Sequence, residues 1–158
     1  MKILIIYHSE HHGNTEKVVK AMGNEVNADV VKSYDFDLNR INEIINQYDI
    51  IGLGSGIYSG KHHKNILNIA DGLPKNCKVK FFIFSTSGVD ALSRGYHNAL
   101  KSILNSRGIN LIGEFNCLGF DTAIISSGIN KGRPDEDDLE KAKDFMRKIV
   151  LKKYNFSS

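Results

Sequence analysis

Three apolar runs constrain this chain more than anything else in it: Ile3–Tyr7, Ile50–Leu53 and Val79–Phe84, the last reading VKFFIF. A strand with one wet face alternates polar and apolar residues. These runs do not alternate, so both of their faces need cover, as in a parallel sheet wrapped by helices. Two weaker strand patterns accompany them, at Ala28–Lys32 and Leu111–Leu118. In the second, Leu111, Phe115 and Cys117 are expected on one face and Glu114 and Asn116 on the other. That pattern suits an edge strand, which needs covering on fewer sides.

Helical stripes separate the strands. Val18, Val19, Met22 and Val26 form the first, and Ile41, Ile44, Ile45 and Tyr48 the second. Ile66, Leu67, Ala70 and Leu73 form the third, and Leu92, Tyr96, Ala99, Leu100 and Ile103 the fourth. A fifth helix is expected near Pro134, its apolar face carrying Leu139, Ala142, Phe145, Met146, Ile149 and Val150. Its acids at 135–138 lie in the first turn and Arg147, Lys148, Lys152 and Lys153 near its end, complementing the helix dipole. Strand and helix alternate five times. The expected fold is therefore α/β, a three-layer, doubly wound, five-stranded parallel sheet forming one domain over residues 1–158. With the most apolar strands at the centre, the strand order is 2-1-3-4-5. The stretch 119–134 reads as a loop longer than the connection requires.

Composition narrows the setting. The chain has 158 residues, enough for a core that needs neither disulfide nor metal. Its net charge of +3 is mild and its bases are interspersed with acids, so no nucleic-acid stripe is expected. Cys77 and Cys117 lie forty positions apart without a CxxC spacing, which suits reduced core thiols in a cytoplasmic protein. No apolar run approaches the length of a membrane span, and Ile3–Ile6 is too short for a signal-peptide core.

In a doubly wound sheet, ligands sit at the carboxyl ends of the strands where the order reverses, here between strands one and three. The loops that converge there are SEHHGNT after strand one, GSGIYSGKHH after strand three and STSGVD after strand four. All three are rich in Gly and Ser, which lets backbone N–H groups face a ligand. The first ends in Gly13-Asn14-Thr15 at a helix start, where free amides and the positive dipole end would meet an anion, with Ser9 and Thr15 as further donors. Taken alone, that loop reads as well with Asn14 or Thr15 as a simple helix cap. The convergence of three loops favours a binding site.

Other motifs fail on spacing. GSGIYSGKH is one residue too long between Gly54 and Gly60 for a Walker A loop, and His62 stands where Ser or Thr should hold magnesium. No GxGxxG follows the first strand, and GLGSG at 52–56 has Gly54 where a nucleophile elbow needs Ser. Five of the six histidines (His8, His11, His12, His62, His63) fall in two neighbouring loops. No Asp, Glu or Cys completes a ligand spacing such as HExxH, so phosphate-adjacent or solvated histidines are expected in place of a metal site.

These residues carry a resemblance. Tyr7-His8-Ser9 followed by Gly13-Asn14-Thr15 resembles the flavodoxin signature, an aromatic and Ser/Thr before Gly-x-Thr at the first helix. Flavodoxins are the type example of order 2-1-3-4-5 with FMN at the switch point, so strand order and resemblance are one argument. The resemblance implies that Ser9, Glu10, His11, His12, Gly13, Asn14 and Thr15 form the phosphate loop of an FMN site. It implies that Gly56, Ile57, Tyr58, Ser59 and Gly60 form a loop over the flavin ring, with Tyr58 as the covering aromatic. Thr86, Ser87 and Gly88 begin the second ring-facing loop. That loop has no aromatic between Ser85 and Asp90, which leaves one ring face to backbone or to a segment such as Gly119–Thr122.

The implied function is that of a low-potential electron carrier, exchanging electrons with a reductase and an acceptor protein. Electron-carrying flavodoxins are usually acidic, whereas this chain has a pI near 8.8. GSGIYSGKHH also resembles the corresponding loop of menaquinone-dependent protoporphyrinogen dehydrogenases, flavodoxin-like enzymes. The alternative is therefore an FMN-dependent oxidoreductase of that kind or a quinone reductase. A flavin-free receiver domain shares the strand order but needs acids where Tyr7-His8-Ser9 and Gly54-Ser55-Gly56 stand. No residue reads as a catalytic acid or nucleophile.

Overall fold

The structure, a computed structural model, describes residues 1–123 and 125–155, with 153–155 described by their backbone. The strands are β1 (Ile3–His8), β2 (Asp29–Lys32), β3 (Ile50–Tyr58), β4 (Lys61–His62), β5 (Lys80–Ser87) and β6 (Asn110–Leu118). The helices are α1 (Asn14–Val26), α2 (Ile41–Ile45), α3 (Lys64–Gly72), α4 (Asn98–Ser106) and α5 (Glu136–Asn155). Five strands pair in parallel in the order β2-β1-β3-β5-β6, and β4 pairs with β3 outside that path. With β4 set aside this is the expected order. The apolar runs lie at its centre because their residues are buried on both faces, while β2 at the edge exposes Asp29 and Val30.

Two cores flank the sheet. One holds Leu4, Ile6, Ile51, Leu53, Phe81 and Ile83 against α2, α3 and α4. The other holds Ile5, Tyr7, Phe82 and Phe84 against Val18, Val19 and Met22 of α1 and Ala142, Met146 and Ile149 of α5. The alternation along each strand thus feeds two layers at once. Cys77 and Cys117 are both free, the latter buried.

Three expectations need correction. GSGIYSGKHH is not a loop. β3 runs through Gly54–Tyr58 and turns back at Ser59-Gly60 onto β4, pairing Tyr58 with Lys61 and Ile57 with His62. Ser59 and Gly60 have φ of 50° and 74°, the two left-handed residues that a tight hairpin turn needs. Next, Leu111 does not share a face with Phe115 and Cys117. A register shift opposite Phe81/Phe82 lets Ile112 bulge, so Leu111 packs on one core and Phe115 and Cys117 on the other. Finally, α4 starts at Asn98, because Gly95 is left-handed (φ 70°) and breaks the expected helix; Leu92, ahead of it, is exposed.

Candidate functional site

The first loop leaves β1 at His8 and reaches α1 through three consecutive left-handed residues, His11, His12 and Gly13, with φ of 44°, 41° and 66°. For the two histidines that conformation costs on the order of 1 kcal/mol each, a strain typical of binding sites. Gly13 is the N-cap, and no side chain caps the helix. Asn14 and Thr15 are therefore not capping residues: Asn14 Nδ2 donates to Phe120 O (2.8 Å), and Thr15 Oγ1 lies 2.8 Å from Thr86 Oγ1. Among the described residues no acceptor meets the backbone N–H groups of Asn14, Thr15 and Glu16. Ser9 Oγ and Asn14 Oδ1 are buried without partners among the described residues.

A cavity of about 460 Å³ opens beside this loop at the carboxyl ends of the strands. Glu10, His11, His12, Asn14 and Thr15 line it from the first loop, and Gly56, Ile57, Tyr58 and Ser59 from the β3 hairpin. Thr86, Ser87 and Gly88 line it from the end of β5. Ser9, Gly13 and Gly60 stand outside its wall. Gly60 instead sets the hairpin turn, facing Tyr96. Tyr58 folds back over Gly56, whose added Cβ would lie 3.3 Å from the ring. The fourth wall is Phe120, Asp121, Thr122 and Ala123 of the long loop. Of these, Phe120 through Thr122 fall within the segment considered from sequence as a ring cover.

Sequence spacing did not reveal how the histidines are used. The rings of His8 and His63 stack at 3.6 Å with planes 2° apart, and Glu10 Oε1 lies 2.9 Å and 3.7 Å from their Nε2 atoms. An acid does join two histidines here, which no local motif indicated, and the three side chains could in principle ligate a metal. Their hydrogen bonds argue otherwise. Asn65 N–H donates to His63 Nδ1 (3.2 Å), so neutral His63 carries its proton on Nε2. His8 Nε2 faces a carboxylate that can only accept, so it too is protonated, with Nδ1 toward Ser33 Oγ (2.9 Å). Parallel rings cannot aim two in-plane lone pairs at one ion. The cluster instead grips Glu10, whose carboxyl is held below its usual range chiefly by the His8 hydrogen bond, while burial pushes His63 down.

Behind the hairpin lies a second buried network. Ser85 Oγ is 2.7 Å from His97 Nε2, and His97 Nδ1 is 3.0 Å from Glu114 Oε2. The order matches a hydrolase triad, but Ser85 is 0% exposed and its Oγ also accepts from Asn116 Nδ2 (2.9 Å). A hydroxyl closed off from substrate is a structural tie. Beside it, His62 Nε2–H donates to Phe84 O (3.1 Å), while its Nδ1 is buried without a partner among the described residues. Burial, ahead of the neighbouring His97, lowers the His62 pKa to about 3.

An FMN-like ligand can be tested against this donor set. Three unpaired amides at an uncapped helix start, with a buried unpartnered hydroxyl at Ser9, are what a phosphate would satisfy. Thr15 and Thr86 share one proton between them and keep the other for a ligand. The orphan Asn14 Oδ1 can accept from a polyol hydroxyl. Glu10, the one acid of the loop, is engaged by the Nε2 atoms of His8 and His63. The residues fit the group.

A Flavodoxin domain family model matches residues 4–108. An uncharacterized protein of Methanocaldococcus jannaschii is 45% identical over 154 residues, covering 95% of this chain and 99% of its own. Among solved structures, oxidised Flavodoxin 2 from Bacillus cereus superposes with a TM-score of 0.68 at 20% identity, over 96% of this chain and 99% of that one. The flavodoxin of Streptococcus pneumoniae TIGR4 gives 0.67 at 14% identity, over 95% and 99%. These two share the fold, and the family match spans the first loop, the hairpin and the end of β5, so the chain belongs to the flavodoxin-domain family.

Proposed function

We propose that the chain binds one FMN in the cavity beside α1 and serves as a cytoplasmic, single-domain electron carrier between a reductase and an acceptor protein. The observation that carries this reading is the uncapped start of α1, with its unpaired amides and the buried Ser9 hydroxyl. The backbone at 13–16 and Ser9 hold the phosphate. Asn14 orients the polyol, Tyr58 covers the ring from the hairpin side, and the 120–123 wall excludes water from the other. Bound FMN supplies one- and two-electron transfer; the protein sets its access and potential. The stacked histidines fix the Glu10 carboxylate in the cavity wall.

The test is direct. The purified protein should carry flavin absorption or acquire it on titration with FMN, with quenching of flavin fluorescence at one equivalent. A protein that binds neither FMN nor riboflavin refutes the reading. The fourth wall supports a second reading, an FMN-dependent oxidoreductase of the protoporphyrinogen- or quinone-linked kind, because a walled cavity can seat a substrate. Rapid reoxidation of the reduced protein by soluble quinones, with little transfer to proteins, would favour it.

A further inference from the structure

The loop 119–134 does more than connect β6 to α5. Its first residues lie across the start of α1. Asn14 Nδ2 donates to Phe120 O, the Phe120 ring sits 4.5 Å from the His12 ring, and His12 Nε2 lies 3.3 Å from Thr122 Oγ1. At Gly119 the approach is so close that an added Cβ would overlap the Asn14 side chain. From behind, Asn130 Nδ2 donates to Gly88 O (2.7 Å) and Gly119 O (3.3 Å), and Phe120 N–H donates to Arg133 O. Gly128 (φ 84°) leaves room for the Phe120 ring, which a Cβ there would overlap. The segment is thus braced on both sides: three contacts tie it to the first loop and three hold it from behind.

We propose that this latch, with Phe120 and His12 as its specificity-determining pair, restricts the site to flavin mononucleotide and rejects flavins whose phosphate is extended by an adenylate. The proposal rests on the flavin reading above. A phosphate seated on the amides of Asn14 to Glu16 has the Phe120–His12 pair beside it. A terminal phosphate ends there. In a dinucleotide the chain continues from the same phosphate, and the continuation has to pass the latch, which means parting the two rings and breaking the Asn14–Phe120 and His12–Thr122 bonds. Esterification also removes one of the phosphate's negative charges, weakening its pull on the helix start. Steric closure and charge therefore act in the same direction. Riboflavin, which lacks the phosphate, passes the latch freely but leaves the amides and Ser9 unsatisfied.

The experiment measures affinities for FMN, FAD and riboflavin by fluorescence quenching on the parent protein, the His12→Ala/Phe120→Ala double variant and Thr122→Val. The parent should bind FMN at least roughly a hundredfold more tightly than FAD, the size expected when one or two charge-assisted bonds cannot form. In the double variant the FMN-to-FAD ratio should fall by roughly tenfold or more. Thr122→Val, which keeps the shape and loses the hydroxyl, should give a smaller fall with the fold intact. A parent that binds FAD within about threefold of FMN overturns the latch while leaving the flavin reading in place. So does a double variant that loses both ligands by the same factor. A parent that binds no flavin at all overturns the reading and the latch together.

Discussion

Acid should weaken this protein through His62, and the effect can be sized. The side chain is 1% exposed, its Nε2–H is committed to Phe84 O, and its Nδ1 has no partner among the described residues. Protonation would place a charge and an orphan N–H in the interior, which is why its pKa falls from 6.5 to about 3. A histidine depressed in the folded state takes up protons more readily when unfolded. Its stabilising contribution is therefore complete above pH 6.5 and is lost as pH falls toward 3. At roughly 1.4 kcal/mol per unit, the loss is about 2 kcal/mol at pH 5 and about 5 kcal/mol when complete. His62→Gln keeps a donor for Phe84 O and removes the titration. Urea unfolding followed by circular dichroism at about pH 7.5 and pH 5 should show parent and variant diverging in slope, with the variant losing about 2 kcal/mol less. His63 and His97 are depressed in the same direction and titrate in both proteins, so they cancel in the comparison. Parallel pH dependences would refute the reasoning.

Other perturbations test the site and the sheet. Ser9→Ala should weaken FMN roughly tenfold by removing a buried donor and leave riboflavin unchanged, as read by quenching titrations. Tyr58→Ala should weaken both ligands by a similar factor, roughly three- to tenfold, since stacking is worth about 0.5–1.5 kcal/mol whether or not a phosphate is present. Loss confined to FMN would place Tyr58 at the phosphate and not the ring. Gly54→Ala should cost about 1–3 kcal/mol, because its Cβ would overlap the fully buried Phe84 ring; an unchanged urea midpoint would show that the ring can move aside.

Much of the architecture was legible because burial on both faces leaves a local signature. Ile3–Tyr7 and Val79–Phe84 could only be central strands, and the stripes Val18/Val19/Met22 and Ala142/Met146/Ile149 could only face them. β3 was read too short for an equally physical reason. Gly54, Ser55 and Gly56 look like a loop because the strand gives up its side chains there, Gly54 making room for a neighbouring ring and Gly56 for Tyr58. The bulge at Ile112 swaps two faces without any mark in residue type. The cavity wall was legible where it rests on one contiguous stretch, as at Glu10–His12 and Asn14–Thr15, and hidden where partners meet through the fold. Glu10 and His63 are brought together by β1 and β3, and Phe120 reaches His12 from the far end of β6. No periodicity encodes such distant pairs.

The neighbouring strands β3 and β5 divide one volume between them. Gly52 faces Phe82 and Gly54 faces Phe84 in register, each ring lying where its partner's Cβ would be. A side chain gained on one strand must therefore be matched by one lost on the other. Across diverging relatives, 52 with 82 and 54 with 84 should change as couples, a small residue trading places with a large one, while the sum of the two volumes stays nearly fixed. Each couple is in effect a single inherited character written at two distant places in the sequence. A relative that breaks one half of it should show compensation in α1 or α5, the helices that close over those rings.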